Sequence, residues 1–279
     1  MSTKLRNILD ARRGGVAVAV VGSPGTGKSS FLGAIGEVFS KDEVLLLAPK
    51  PREINSWRYH QHGFDANAEV FQDPRWKPAL GIYEASAFHN LERRVLELYD
   101  DKKIRCVIVD PYTDVVKLAS HDLLKVDKAG TPRDSSDSRG FYGALKHRLG
   151  NFTSDLVNLA SPALVVPKLV LVAVHAQSAK EDEKLGGGGV NFEGDVMPMI
   201  EGGHRYDFAG EFDLVCFSRI KHTNTLVKGK MEKGVSYVVQ IGADSKRHAK
   251  VALSPRLADV EVENSVVKVL ELALGEHEH

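Results

Sequence analysis

The 279 residues suffice for one large α/β domain or two small ones, and 43% hydrophobic with 27% charged residues is the composition of a globular protein. The 37 basic and 37 acidic side chains cancel, which excludes a uniformly basic, histone-like mode of nucleic-acid binding but not a local basic stripe. Two cysteines, Cys106 and Cys216, sit inside apolar runs, make neither a disulfide framework nor a zinc site, and predict buried hydrophobes in a cytoplasmic protein.

In chain order, Met1 to Arg13 has basic residues but no apolar h-region, so no signal peptide is expected. Gly15 to Val21 is uncharged Val and Ala, as in a strand buried on both faces. After a Gly/Ser/Pro/Thr turn, Lys28 to Phe39 places Phe31, Leu32, Ile35 and Val38 at helical spacing. Glu43 to Ala48 is a second apolar strand, stopped by Pro49 and Pro51, and residues 52 to 80 are expected to be irregular. A short strand over Gly81 to Glu84, an amphipathic helix over Ala87 to Tyr99 and a third buried strand over Ile104 to Val109 follow. Ser120 to Arg139 is polar and predicts a long loop, and Phe141 to Leu159 a helix. Ala163 to Val174 is the longest apolar stretch, interrupted by Pro167 and Lys168 and too short to span a bilayer. Within it begins the strand Leu169 to Ala176, and a second long loop runs from Gln177 to about Gly203. Phe212 to Arg219, Val235 to Ile241 and Ala249 to Leu253 predict late strands, and Glu263 to Leu274 a helix with Asn264 or Ser265 as N-cap. Unbroken apolar strands separated by helices imply an α/β fold, with a mostly parallel sheet covered on both faces and antiparallel additions at its C-terminal end.

Gly22, Ser23, Pro24, Gly25, Thr26, Gly27, Lys28 and Ser29 match G-x-x-x-x-G-K-[ST] at every fixed position. A chain of this length meets that pattern by chance with probability on the order of 1%. The glycines let backbone N–H groups turn inward around a phosphate, and the helix that follows points its positive end there. Lys28 supplies a point charge, Ser29 a hard oxygen for Mg²⁺, and Ser30 continues the site into the helix, which implies an ATP-magnesium site. Ile104 to Val109 ending in Asp110 has the form of a Walker B strand; a strand beside the phosphate-loop strand would bring Asp110 to the metal through water, with Asp114 as a substitute. Leu169 to Val174 runs into His175 and Gln177, which two-residue spacing sends to one side at the strand's carboxyl end, as γ-phosphate sensors or as strand-end caps. Glu53 and Glu84 both remain candidates for orienting the attacking water.

This order of parts resembles the RecA-like P-loop ATPase core, most closely the short phage-encoded RecA-like proteins of single-strand annealing and recombination, over roughly residues 14 to 256. Residues 1–13 would then be an N-terminal segment and 257–279 a C-terminal helix and tail. The resemblance implies a DNA-stimulated ATPase that self-associates into a ring or filament on single-stranded DNA, with no membrane partner. It implies DNA-facing loops at about 120 to 140, with Lys125, Lys128, Arg133 and Arg139, and at about 178 to 203, where Lys180 and Lys184 are opposed by Glu181, Asp182 and Glu183. It also implies a cationic finger reaching the neighbouring subunit's γ-phosphate from Lys246, Arg247 or Lys250, which otherwise form a solvated hairpin tip. The aromatic segment Trp57 to Phe64, with Trp76, is expected to stack bases or the adenine ring, or to form a satellite core or interface, and the terminal Glu276 to His279 lacks the rigidity of a metal site. Other P-loop motors, a helicase loader among them, and a nucleotide-gated assembly protein with little hydrolysis are the alternatives.

Overall fold

The computed structural model describes residues 3–58, 67–73, 75, 86–127, 137–178, 196–201, 203–227, 230–241 and 260–275. Its centre is a mixed sheet in the order β3-β2-β4-β5-β1-β7-β8-β9: β1 (Val16–Gly22), β2 (Val44–Ala48), β3 (Asn67–Val70), β4 (Cys106–Val109), β5 (Leu169–Ser178), β7 (Leu214–Val227), β8 (Lys230–Ile241) and β9 (Val260–Glu263). From β3 to β7 the pairings are parallel; β8 and β9 add antiparallel, and β6 (Val196–Pro198) pairs antiparallel with the end of β5. This is the α/β architecture expected, a mostly parallel sheet covered on both faces with antiparallel additions at the C-terminal end.

Alternation along each strand divides the core into two layers. Ala17, Ala19, Val21, Val107, Val109, Val170, Val172 and Val174 pack under α4 (Ala87–Glu97), α5 (Tyr112–Asp127), α6 (Ser138–Asn158) and α7 (His204–Glu211). Val16, Val18, Val20, Cys106, Ile108, Leu171 and Ala173 face α1 (Thr3–Ala11), α2 (Lys28–Gly33), α3 (Pro51–Arg58) and α8 (Val266–Leu274). Both cysteines are free and buried. Two-sided burial explains why these strands are continuously apolar, each buried Val or Leu contributing about 1.5–3 kcal/mol. Among the described residues no helix is long and apolar enough to cross a membrane.

Several expected elements change. The helix expected to reach Phe39 is α-helical only to Gly33 and continues as a 3₁₀ turn over Ala34–Glu37. Residues 52 to 80 are not simply irregular: Pro51 opens α3, because a proline at the first helical position gives up an N–H that has no helical acceptor there, and β3 extends the sheet. Ser120 to Asp127 is the second half of α5, where Ser120 is buried, Asp122 pairs with Arg148 and Lys125 is exposed, and Arg139 belongs to the first turn of α6. The second long loop is shortened at both ends by β5 reaching Ser178 and by β6. The helix α1 and the strand β9 were not anticipated. The strand expectations at Gly81 to Glu84 and Ala249 to Leu253 lie outside the described residues.

Gly15 enters β1 beside the backbone of Lys168: a Cβ there would lie 1.9 Å from the Lys168 carbonyl oxygen. Gly15→Ala is therefore expected to destabilise by about 1–3 kcal/mol or more, read as a lowered Tm in a thermal melt.

Candidate functional site

At the carboxyl end of β1 the chain turns through Ser23, Pro24 and Gly25, all exposed, and re-enters the protein at Thr26. Gly25 has φ 80° and Gly27 φ 84°, left-handed values that favour glycine and turn successive amides toward one centre. The Thr26 hydroxyl donates to the Ser23 carbonyl at 2.9 Å, and the Thr26 carbonyl accepts from the Ser218 hydroxyl on β7. The Asn264 side-chain amide donates to the Gly27 carbonyl at 3.0 Å, and the Tyr237 ring of β8 would lie 3.1 Å from a Cβ at Gly27. These three residues, all from the last third of the chain, brace the loop; nothing in their local sequence marked them.

Lys28 is buried and its ammonium lies inside the loop, donating to the carbonyls of Gly22 at 2.7 Å and Ser23 at 2.8 Å. Burial lowers its pKa to about 8, and Asp110 opposes that shift. Asp110 follows β4 on the α2 side of the sheet and is 4% exposed. Burial pushes its carboxyl up, while hydrogen bonds from the Ser29 hydroxyl and the Trp57 indole, with Lys28 and His175 nearby, favour the ionised form. The Trp57 Nε1–H donates to Oδ2 at 3.0 Å. The expectation that Asp110 stands on the strand next to β1 is corrected: β5 lies between them, and the two sites meet because α2 crosses over the strand ends.

One helical turn before Trp57 on α3, Glu53 is half-buried and its pKa is raised to about 7, first by burial and then by the negative charges of Asp110 and Asp114; Lys50 and Arg52 oppose the rise. Glu53 thus joins the Lys28–Asp110 cluster, whereas Glu84 lies outside the described residues. Asp114, considered as a substitute for Asp110, is engaged by Lys50 at 2.8 Å and Lys117 at 2.7 Å. Burial acts against its ionised form, but these two hydrogen bonds outweigh it and lower its pKa.

His175 pairs in register with Gly22, one strand from the phosphate loop, and its backbone N–H donates to the Thr113 hydroxyl at 3.0 Å. Burial and then Lys28 lower its pKa, opposed by Asp114 and Asp110, so the ring is neutral near pH 7. Its Nδ1 has no hydrogen-bond partner among the described residues. Gln177 pairs with Met197 and lines a cavity of about 470 Å³ with Thr113, Lys117, Tyr142, Glu201 and Arg205. Of the pair, His175 shares the electrostatics of Lys28 and Asp110, and Gln177 faces this neighbouring cavity.

Ser29 and Asp110 are a hydroxyl and a carboxylate already in hydrogen-bond contact, the hard-oxygen donors that magnesium takes alongside nucleotide phosphates and water. The described residues hold no cluster of three or more His, Cys, Asp or Glu that would cage a metal without a nucleotide. The candidate finger residues Lys246, Arg247 and Lys250 lie outside the described residues, as do Lys128, Arg133, Lys180 to Lys184, the segment from Tyr59 to Phe64, Trp76 and the terminal Glu276 to His279. Trp57, grouped by sequence with that aromatic segment, takes the core alternative: it is buried and donates to Asp110.

Comparison with known proteins gives three findings. The AAA domain family named AAA_24 matches residues 15–252. No curated protein matches the sequence. Among solved structures, a prototypical ATPase from the type III secretion system of pathogenic bacteria matches with a TM-score of 0.45 and 16% identity, over 73% of this chain and 51% of that one. The chain thus spans about half the length of that structure.

Proposed function

Because the chain belongs to this AAA domain family and is a P-loop ATPase, we propose that it hydrolyses magnesium-ATP as a self-associating protein on single-stranded DNA, in recombination, annealing or repair. The observation that carries the hydrolytic reading is the convergence of Lys28, Ser29, Asp110 and Glu53 around one inward-turned loop. In this reading the backbone amides of Gly25 to Lys28 hold the β-phosphate, and Lys28 exchanges its two carbonyl acceptors for phosphate oxygens. Ser29, and Asp110 through water, would hold Mg²⁺, which when bound would neutralise charge on the phosphate oxygens. Glu53 accepts a proton from the attacking water, and neutral His175 donates a hydrogen bond at the γ end. Because the γ end faces β4 and β5, the base extends to the other side of β1, toward the exposed ring of Tyr237. Lys246, Arg247 or Lys250 supplies a cation to the neighbouring subunit's γ-phosphate.

The DNA part of the proposal draws on the resemblance to RecA-like recombination proteins. It is supported by Lys117, Arg205 and Tyr142 around the cavity at the end of β5, two cations and a ring on the side where the chain leaves His175. ATPase rate with and without single-stranded DNA, run beside a sizing column with and without nucleotide, tests it. A several-fold rise in turnover and a nucleotide-dependent larger species are expected. An unchanged rate would sink the DNA reading; turnover too slow to measure with intact ATP binding points to an assembly protein, and stimulation by a partner helicase alone points to a loader.

A further inference from the structure

We propose that the cleft at the amino end of the sheet is a docking site for an acidic, aliphatic peptide segment of a partner protein. The cleft lies where β1, β4 and β5 begin, at the pole opposite the phosphate loop, and has a volume of about 490 Å³. Among the described residues its charged lining consists of Arg12, Arg13 and Arg105 against one carboxylate, Asp10. Asp10 is taken by Arg105 at 2.6 Å. Among the described residues no carboxylate pairs with Arg12 or Arg13, and the Arg12 Nε is buried without an acceptor. Arg12 is half-exposed and Arg13 exposed, so their guanidinium groups are open to the charge-assisted hydrogen bonds of an arriving carboxylate.

The apolar wall is mostly aliphatic, and most of it comes from the turn at 162–167, with Leu9 and Leu169 beside it. Val165 at its tip is 82% exposed, the most exposed large hydrophobic among the described residues. An apolar side chain held outward beside two unpaired guanidiniums matches a ligand that alternates carboxylates with aliphatic groups. Nucleic acid fits less well. Among the described residues the aromatic ring in the lining is Phe39, which is 2% exposed and offers no face for base stacking. Asp42, Glu43 and Asp101 at the same end of the sheet also interrupt the positive field that a run of phosphates needs.

The test is fluorescence polarisation of the full chain with a short labelled peptide alternating Asp with Leu and Ile. A peptide with Asn replacing each Asp and a thymidylate oligonucleotide serve as the other arms. Saturable binding of the acidic peptide is expected, weakened about tenfold or more by Arg12→Glu with Arg13→Glu and several-fold by Val165→Asp, since removing charge partners raises dissociation. Basal ATPase rate and Tm are expected to stay as in the unmodified protein, because these side chains are exposed or half-exposed and far from the phosphate loop. No saturable binding, equal binding of the Asn peptide, or indifference to the arginine substitutions overturns the proposal. So does binding of the oligonucleotide alone with the same arginine dependence, which would make the cleft a nucleic-acid site. A shift of the double variant's elution volume without loss of peptide binding would assign the face to contacts between copies of this chain.

Discussion

Glu53→Gln is expected to lower kcat for ATP hydrolysis by about 10²–10⁴-fold, the range lost with a general base, while ATP affinity changes by no more than about threefold. The substitution keeps size and hydrogen-bonding capacity and removes only the ability to accept a proton. Because the Glu53 pKa is raised to about 7 by burial and by Asp110 and Asp114, the base form prevails above that pH. kcat/KM, which reports the free enzyme, is therefore expected to climb as pH rises through about 7 and then level off, and the Gln variant is expected to lose that limb. The stability consequence has the opposite sign. A carboxyl whose folded pKa exceeds its unfolded value makes the fold progressively less stable as pH rises from the unfolded pKa through the folded one. The Gln variant escapes that loss, so above pH 7 its Tm is expected to equal or exceed that of the unmodified protein. A rate within tenfold of the original would remove Glu53 from the base role; a matching loss of ATP affinity would make it a binding group instead.

Lys28→Ala is expected to weaken ATP binding by about 100-fold or more and to bring turnover to background. Two charge-assisted hydrogen bonds at about 1.5–3 kcal/mol each, with a factor of ten for every 1.4 kcal/mol, set that scale. Ligand-induced stabilisation is the readout that separates site from fold. At ATP concentrations about 100 times the Kd, binding adds about 2.7 kcal/mol of stability, which the variant lacks. The variant also loses the contacts from Lys28 to the Gly22 and Ser23 carbonyls, so its nucleotide-free Tm is expected to fall modestly. Undiminished thermal stabilisation by ATP in the variant would show that the triphosphate binds elsewhere.

How much of this was legible in the sequence follows from the range of the forces involved. The phosphate loop could be read because its requirements are local: left-handed backbone at Gly25 and Gly27, a lysine and a hydroxyl one step further, a buried strand before and an apolar helix face after. The parallel sheet was legible for a similar reason, since strands buried on both faces must be apolar at every position. The order of those strands was not, because pairing partners are chosen by packing between segments far apart in the chain, and β5, more than 50 residues after β4, came to lie between it and β1. The same holds for Trp57, whose indole finds Asp110 across 53 residues, and for the bracing of the loop by Ser218, Tyr237 and Asn264. Between Glu53 and Glu84 composition offered no basis for choice, because a carboxylate acquires a raised pKa only from the burial and charges that tertiary structure assembles around it. Sequence by itself determined the glycine, lysine and hydroxyl pattern that a phosphate loop requires; the fold decided which other side chains stand around that loop, because that depends on contacts no local spacing encodes.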